Sequence, residues 1–288
     1  MSTYQTPGPI TAIIDVPVGD VRVTASDRDD TTVAVEPADP GNAEDRQVAE
    51  ETHVDYVNGR LVVKGAKLRS WRPRRSGGSI VVSVELPAGS QLNGVGGLTH
   101  FHADGPLGDC RIRIGAGRIQ LGETGDLTVK SGASDISVWR VTGDTEIRVA
   151  TGDVRLGELR SAAVIKKSND DTWIGRADGD LRVSTANGDI NIEVANASVS
   201  AKTANGSLRV GDAARGELAL ETHLGDIEIG IREGTSAWLD VRSSAGAVRN
   251  ELDAAQAPDA SADTLEVRAR THLGDVVIAR PAASAVSA

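Results

Sequence analysis

The sequence is organised by a pattern that returns every nine residues. Aspartate fills the same slot of this pattern repeatedly, and the slot is missed once, at Ala162. The aspartates are Asp126, Asp135, Asp144, Asp153, Asp171, Asp180 and Asp189. A fixed period is the signature of repeat architectures, in which each unit is completed by packing on its neighbours. The chain should therefore fold as a stack of similar short units.

Each repeat predicts one turn and one short strand. Apolar residues recur one and three positions after the aspartate slot, with mostly polar residues between them, as in a half-buried strand. Glycine often precedes the aspartate and can supply the turn conformation, while the aspartate can hydrogen-bond backbone amides of its own turn. Aromatic residues are only 2% of the chain. The core must therefore consist of aliphatic side chains, which pack well in registered strands.

Two nine-residue units combine into one coil. The turn Thr185-Ala-Asn-Gly-Asp189 returns eighteen residues later as Thr203-Ala-Asn-Gly-Ser207, whereas the turns between them differ. This alternation favours a coil of two strands and two facing parallel sheets. A three-strand coil of about 27 residues stays open, because spacing alone does not count the faces. The predicted fold class is an all-β, single-stranded parallel β-solenoid, or β-helix, with irregular β caps at both ends.

The chain divides into three predicted segments. They are an N-terminal β cap with the first coils and a basic loop at 65–78, a solenoid repeat region with a loop at 250–263, and a disordered tail, over residues 1–90, 91–280 and 281–288. The motif Thr222-His-Leu-Gly-Asp226 is copied at Thr271-His-Leu-Gly-Asp275. The C-terminal segment should therefore rejoin the same solenoid.

The N-terminal flank is less regular than the repeat region. Its predicted elements are strands at 10–16, 21–24 and 31–35, a helix at 43–51, and a hairpin of 53–57 with 60–64. The helix is predicted from good helix formers, and the hairpin from the Asn58-Gly59 turn.

Charge and composition exclude several classes of protein. The net charge of −10 argues against wholesale binding to nucleic acid or to an anionic membrane. No stretch approaches the roughly 20 apolar residues of a membrane span. No basic region followed by an apolar run marks a secretory signal, and the single cysteine, Cys110, cannot form an intrachain disulfide. These observations predict a cytoplasmic protein.

No motif indicates an enzyme or a cofactor. GxSxG, HExxH and phosphate-binding Gly-Lys loops are absent from the sequence. Cys110 falls in an inward slot and should behave as a small hydrophobe. The aspartate ladder could bind calcium, as in toxin-type β-rolls, but those need a denser GGxGxD pattern. We therefore expect no metal site and assign the aspartates to the turns.

Four histidines offer incomplete metal sites. His100 and His102 should share one strand face, while His223 and His272 occupy the two copied turns. No cysteine or carboxylate cluster completes either set. We expect ordinary surface histidines.

One segment is positively charged although the chain as a whole is negatively charged, and this segment is the predicted binding site. Five cations surround a tryptophan there, and such a cluster could dock an acidic partner such as a protein, a phosphate-bearing polymer or an anionic lipid. The alternative is a solvated hairpin tip without a binding role. The residues are Lys67, Arg69, Trp71, Arg72, Arg74 and Arg75.

Several motifs in a fixed order resemble a known family. They are Ile13-Ile-Asp-Val-Pro17, Gly19-Asp-Val-Arg-Val23, Gly59-Arg-Leu-Val-Val-Lys64 and Val82-Ser-Val-Glu-Leu-Pro-Ala-Gly-Ser90, followed by the serial Gly-Asp strands. Over roughly residues 8–280 the chain is similar to the β-strand-repeat adhesin-like proteins, the bacterial domain of unknown function 4097. The resemblance implies a β-solenoid and brings no catalytic residues.

The functional prediction is a non-catalytic β-solenoid scaffold or interaction protein. One alternative is a self-assembling, bactofilin-like filament that grows through open strand edges. The other is a carbohydrate-active β-helix enzyme, which should show an acidic cluster beside an aromatic platform.

Overall fold

Consecutive coils pair in register at the spacing of the sequence repeat. In the computed structural model, Val154 pairs in parallel with Thr172, and Ala163 with Leu181, each pair being 18 residues apart. A coil therefore contributes one strand to each of two facing sheets, with aliphatic side chains between them. The prediction of an all-β parallel solenoid with two-strand coils is confirmed. The structure describes residues 1–66, 78–252 and 263–281.

The chain forms two compact units, Met1–Ala150 and Thr151–Ala288. The elements of the first unit are β1 Ser2–Gln5, β2 Thr11–Ser26, β3 Asp30–Pro37, α1 Ala43–Glu51, β4 His53–Val57, β5 Arg60–Lys64, β6 Ile80–Pro87, β7 Gln91–Pro106, β8 Cys110–Thr124, β9 Leu127–Val141 and β10 Thr145–Thr151. The helix and the β4–β5 hairpin have the predicted bounds. Asn58 and Gly59 both have positive φ, 51° and 74°, as the two central residues of a type I′ hairpin turn require.

Strands in the first unit run through the corner between the two faces of a coil. β7, β8 and β9 each extend over a whole coil, and β2 joins the predicted strands at 10–16 and 21–24. The prediction of two separate strands there was wrong. Glycines permit the continuous bend, because a Cβ at Gly115 or Gly132 would lie 2.8 Å from the carbonyl oxygen of the preceding coil.

The long strand β2 comes early in the sequence but lies inside the stack of parallel strands rather than at its end. β2 pairs in parallel with β7 on one side and with β5 and β6 on the other. Antiparallel strands follow beyond β5 and β6: β4 pairs with β5, β3 with β6, and β1 with β3. The parallel stack of this unit is thus bordered by short antiparallel strands.

The second unit contains only parallel pairings among its described strands. They are β11 Val154–Leu159, β12 Ala163–Lys167, β13 Thr172–Ala177, β14 Leu181–Ser184, β15 Ile190–Ala195, β16 Val199–Lys202, β17 Leu208–Ala213, β18 Gly216–Leu224, β19 Ile227–Ile231, β20 Ser236–Ala245, β21 Val248–Asn250, β22 Thr264–Leu273 and β23 Val276–Ala279. One sheet follows the odd-numbered strands up to β19, and the other follows the even-numbered strands up to β18.

The coil that comes last in the sequence, formed by β22 and β23, lies between the coil of β18 and β19 and the coil of β20 and β21. β22 pairs with both β18 and β20, and β23 pairs with both β19 and β21. The two copied motifs therefore stack directly, with Thr222 beside Thr271 and Leu224 beside Leu273. The prediction that the C-terminal segment rejoins the solenoid is confirmed, and the coil that contains β20 and β21 ends the stack.

A ladder of side-chain hydrogen bonds links successive coils at one corner. The Asp189 amide donates to Asp171 Oδ1 at 2.8 Å, and the Ser207 amide donates to Asp189 Oδ1 at 2.8 Å. The Asp275 amide bonds Asp226 Oδ1 in the same way, at 2.8 Å. The expectation that each aspartate bonds its own turn was wrong. In parallel stacking, the equivalent amide of the next coil lies about 4.8 Å away, within reach of the carboxylate.

Close stacking also explains the glycine before the ladder residue. A Cβ at Gly206, whose φ is +144°, would lie 2.2 Å from the Gly188 carbonyl oxygen. No L-residue side chain fits there without moving the coils apart.

We expect Val183→Asp to abolish cooperative thermal unfolding, because Val183 is fully buried and the change would bury an unpaired charge. The control is Arg182→Asp at the neighbouring exposed position, for which we expect a change within about 0.5 kcal/mol. A silent Val183→Asp variant in circular-dichroism melts would contradict the register.

We expect Gly206→Ala to cost more than about 2 kcal/mol of unfolding free energy in urea titrations. The matched control is Gly234→Ala, where φ is +81° but a Cβ would have no other atom within 4 Å. The control should lose only about 1 kcal/mol, from backbone strain alone. Equal losses would show that coil packing does not select the glycine.

Candidate functional site

The predicted docking loop is the segment that follows β5 in the sequence. Lys67, Arg69, Trp71, Arg72, Arg74 and Arg75 lie outside the described residues, so their binding role stays a prediction. β5 ends at Lys64, shortly before this segment, and belongs to the same sheet as the first halves of β7, β8 and β9.

The aspartates and histidines of the repeat have structural or surface positions. The ladder carboxylates accept amide hydrogen bonds from the next coil. His102 Nε2 lies 2.9 Å from Asp104 Oδ2, and His223 and His272 are exposed on neighbouring strands. Among the residues that the structure describes, no group of three or more His, Cys, Asp or Glu side chains could hold a metal ion.

Cys110 faces the core. Its side chain is fully buried, and burial, followed by the charge of Asp109, raises the pKa of the thiol to about 12. A thiol with this pKa is protonated at neutral pH and is a poor nucleophile. The position agrees with the predicted role of a small hydrophobe.

A cluster of outward cations lies on the first half of β8 and β9. Arg111 pairs with Thr128 and Arg113 with Lys130, so the four side chains form what we call the basic square. The three cations are exposed and Thr128 is half-buried. Residues two apart on a strand are about 6.8 Å apart, and neighbouring strands about 4.8 Å. The basic square therefore concentrates three positive charges and one hydroxyl on a small area.

A fourth cation extends the cluster. The Leu127 amide donates to the Asp144 carbonyl at 2.8 Å, which continues the register into β10 and places Arg148 beside Lys130. Arg148 pairs with Glu146 at 2.6 Å.

The basic square sets like charges side by side on adjacent strands. Within the described residues, Arg111, Arg113 and Lys130 form no ion pair. Like charges opposite each other on adjacent strands are destabilising, so this arrangement violates a local rule of sheet stability. Such violations concentrate at functional sites.

The outer face of β18, β22 and β20 provides the contrast. Lys202 on the adjacent β16 pairs with Glu221 at 2.7 Å, and Arg270 lies 3.6 Å from Asp240. Alternating charges on this face neutralise one another.

An open cleft of about 910 Å³ lies where β18, β22 and β20 begin. Trp238 lines it and is 60% exposed, next to Glu266, which in turn pairs in register with Glu217. This is the acidic cluster beside an aromatic residue that the enzyme alternative predicts. However, Arg268 forms salt bridges to both carboxylates, so both are held as ion-paired surface groups.

The sequence prediction missed the basic square because the square contains no local run of charge. Its cations are separated by apolar residues along each strand and by 17 residues between strands. The signal was present, since Arg113, Lys130 and Arg148 fill the same outward slot of successive coils.

Lys167 is a buried exception to the corner pattern. It occupies the slot in which later coils have threonine, such as Thr222 and Thr271, which donate to the glycine carbonyl of the preceding coil at 2.9 Å. Lys167 Nζ replaces that bond with one to Gly152 O at 3.1 Å and another to Asp171 O at 2.5 Å. Burial lowers the pKa of this ammonium, and nearby aspartates oppose the shift.

These features define a parallel β-solenoid repeat protein whose corners are held by side-chain ladders and whose outer faces carry the variable charges. The chain belongs to the Toastrack DUF4097 family, whose sequence profile matches residues 12–278. The resemblance noted in the sequence is confirmed. No helix among the described residues is long and apolar enough to cross a membrane.

Solved structures that this chain resembles come from several bacteria. A candidate adhesin from Parabacteroides merdae is 14% identical, with 97% of this chain and 96% of that chain covered and a TM-score of 0.44. A candidate lipid-binding protein from Parabacteroides distasonis is 11% identical, with 97% and 96% covered and a TM-score of 0.37. A candidate cell-adhesion protein from Clostridium sporogenes is 11% identical, with 96% and 97% covered and a TM-score of 0.28. The comparison with curated proteins gave no match.

We expect Lys167→Thr to raise the unfolding free energy at pH 7 by about 1 kcal/mol, because it restores the threonine of the repeat and removes a buried charge. Since the pKa is lower in the folded than in the unfolded state, the unfolded chain binds the proton more tightly. The free energy of unfolding of the wild type should therefore rise relative to that of the variant as pH increases toward about 10.4, the pKa of lysine in an unfolded chain. Urea titrations at pH 7 and pH 10 measure both effects. A stability difference that does not shrink at pH 10 would contradict the assignment to the lysine charge.

Proposed function

We propose that this protein is a non-catalytic scaffold that binds a partner through its outer sheet faces and does not polymerise end to end. The observation that carries the proposal is the end of the corner ladder in the second unit. Ala247 fills the ladder slot of the terminal coil, and its amide donates to Asp275 Oδ1 at 2.8 Å. Alanine has no carboxylate with which to receive a further coil, so the ladder stops there.

The core of the terminal coil changes at the same place. Asn250 stands where the neighbouring coils have the buried residues Ile229 and Ile278, and its Oδ1 accepts a hydrogen bond from the Leu252 amide at 3.1 Å. β21 has only three residues. Short edge strands and polar substitutions are devices by which natural sheets limit edge-to-edge association.

The first unit supports the same conclusion by other means. β1 and β4, the outermost strands beyond its parallel stack, are antiparallel to their neighbours and have four and five residues. A parallel coil of another copy would find neither the strand direction nor the ladder that it needs. Both observations disfavour the filament alternative.

The absence of catalysis is also part of the proposal. In the cleft beside Trp238, Arg268 bridges Glu217 and Glu266, whereas glycoside hydrolysis needs one carboxyl group kept protonated by its environment. Two exposed carboxylates that share an arginine do not provide this asymmetry.

The cytoplasm is the proposed location and a protein the proposed partner. The cytoplasmic proposal is supported by the single cysteine, which leaves no intrachain disulfide for an oxidising compartment to form. Fractionation of the host cell checks it, and recovery in the extracellular fraction would overturn it.

We expect the wild-type chain to sediment as one concentration-independent species, because its ladder ends at Ala247. Ala247→Asp with Asn250→Ile restores the repeat in the terminal coil and should produce larger species as concentration rises. Ser244→Asp, at an exposed position of the same coil away from the ladder slot, should behave as wild type. Sedimentation velocity across a hundredfold range of concentration, on the order of micromolar to 100 μM, measures this. Growth of the wild-type chain into long assemblies would overturn the capped-scaffold proposal.

A further inference from the structure

We propose that the basic square, formed by Arg111, Arg113, Lys130 and Thr128, is a docking site for one phosphate monoester on a segment of a partner protein. The inference rests on the proposed function, since it assigns a ligand class to one outer face of the scaffold.

The first step of the argument is the count of hydrogen-bond donors. Two guanidinium groups, one ammonium and one hydroxyl are carried by four backbone positions within an area of about 5 by 7 Å. A phosphate monoester has three strong acceptor oxygens and a charge near −2 at pH 7. Arginine binds such groups through paired, charge-assisted hydrogen bonds. One carboxylate, with two oxygens and one charge, would leave much of this donor set unused.

The second step is the acidic border of the basic square. Asp109 and Asp126 lie next in sequence to the first residues of β8 and β9, at the corner, and Asp126 donates its amide to Asp109 Oδ1 at 3.2 Å. Glu146 follows on β10, where it pairs with Arg148. Asp15 lies two strands from Arg113 in the opposite direction, with Val95 between them. A long polyanion or an anionic membrane would meet these carboxylates, whereas a single compact dianion would not.

The third step is the shape of the surface. The side chains of the basic square project from the outer face of paired strands, and small metabolites are bound mostly in concave pockets that enclose them. A sheet face instead suits an extended protein segment, and clusters of arginine are a recurrent means of reading phosphorylated segments.

The test uses the full chain, ¹⁵N-labelled, with an acetylated Gly-Gly-phosphoserine-Gly-Gly amide as the probe. We expect saturable shifts of the backbone amides at 111–113 and 128–130, and none with the same peptide containing serine. Arg111→Ser with Arg113→Ser should weaken binding at least about tenfold, because two charge-assisted contacts are lost.

The matched control is Arg22→Ser with Arg118→Ser. Both residues are exposed in the first unit and project from strand segments on the other face of the coil. Their replacement by serine changes the net charge by the same amount as the replacement of Arg111 and Arg113. This variant should bind the phosphopeptide as wild type does. Because all four positions are exposed, thermal melts should confirm that both variants fold.

Three results would overturn the inference. Equal binding by the two double variants would show that the basic square is not the site. Binding of inorganic phosphate as tight as that of the peptide would remove the protein segment from the proposal. Co-sedimentation with phosphatidylglycerol–phosphatidylcholine vesicles that depends on Arg111 and Arg113, without peptide binding, would make the face a membrane site.

Failure of this inference is distinguishable from failure of the capped scaffold. A monomeric chain that does not bind the phosphopeptide loses only the ligand assignment. A chain that polymerises loses the scaffold proposal, whatever the amide shifts show.

Discussion

The structure depends on the hydrogen bond from the amide of one coil to the corner side chain of the coil before it. This bond joins Asp189 to Asp171 and Ser207 to Asp189 at 2.8 Å, and it fixes the register of both sheets at once. Glycine precedes Asp189 and Ser207 because of the same close stacking, since a Cβ at Gly188 or Gly206 would meet the carbonyl oxygen of the preceding coil. A single coil buries too few aliphatic side chains to offset the entropy of ordering its backbone. Stability therefore arises between coils, and the ladder aligns them.

A structure that stacks by one rule also needs a means to stop. In the second unit the stacking of coils ends because two residues of the repeat are replaced: Ala247 occupies the ladder slot and Asn250 the core slot. In the first unit it ends by reversal of strand direction, through β3 and β4. Val248 in the terminal coil is still 47% exposed, so the second unit ends through loss of the ladder rather than through a fully polar cover. The proposed scaffold therefore uses its outer faces, rather than its ends, to bind other molecules.

The outer faces are where the repeat leaves the sequence free to vary. Inward slots are occupied mostly by aliphatic residues, whereas outward slots carry paired charges on β18, β22 and β20 and the three cations of the basic square on the first halves of β8 and β9. The first arrangement is neutral for stability, while the second works against it. Family membership describes the shared core of the fold. In the proposed scaffold, side chains such as Arg113 and Lys130 select the partner, and the fold holds them in place without needing them.

The sequence by itself determined the nine-residue repeat, the helix over Ala43–Glu51 and the β4–β5 hairpin, because each depends on residues close together in the chain. It favoured two strands per coil but left three open, and the pairing of residues 18 positions apart decided between them. It also predicted the aliphatic core and the inward position of Cys110. Only the tertiary structure decided which coils are neighbours: β2 pairs with β7 through residues 80 positions apart, and β22 is inserted between β18 and β20. The same is true of the acceptor of each ladder amide, the buried Lys167 and the basic square. These are contacts between coils, and a repeat of similar units does not encode the order in which its units stack.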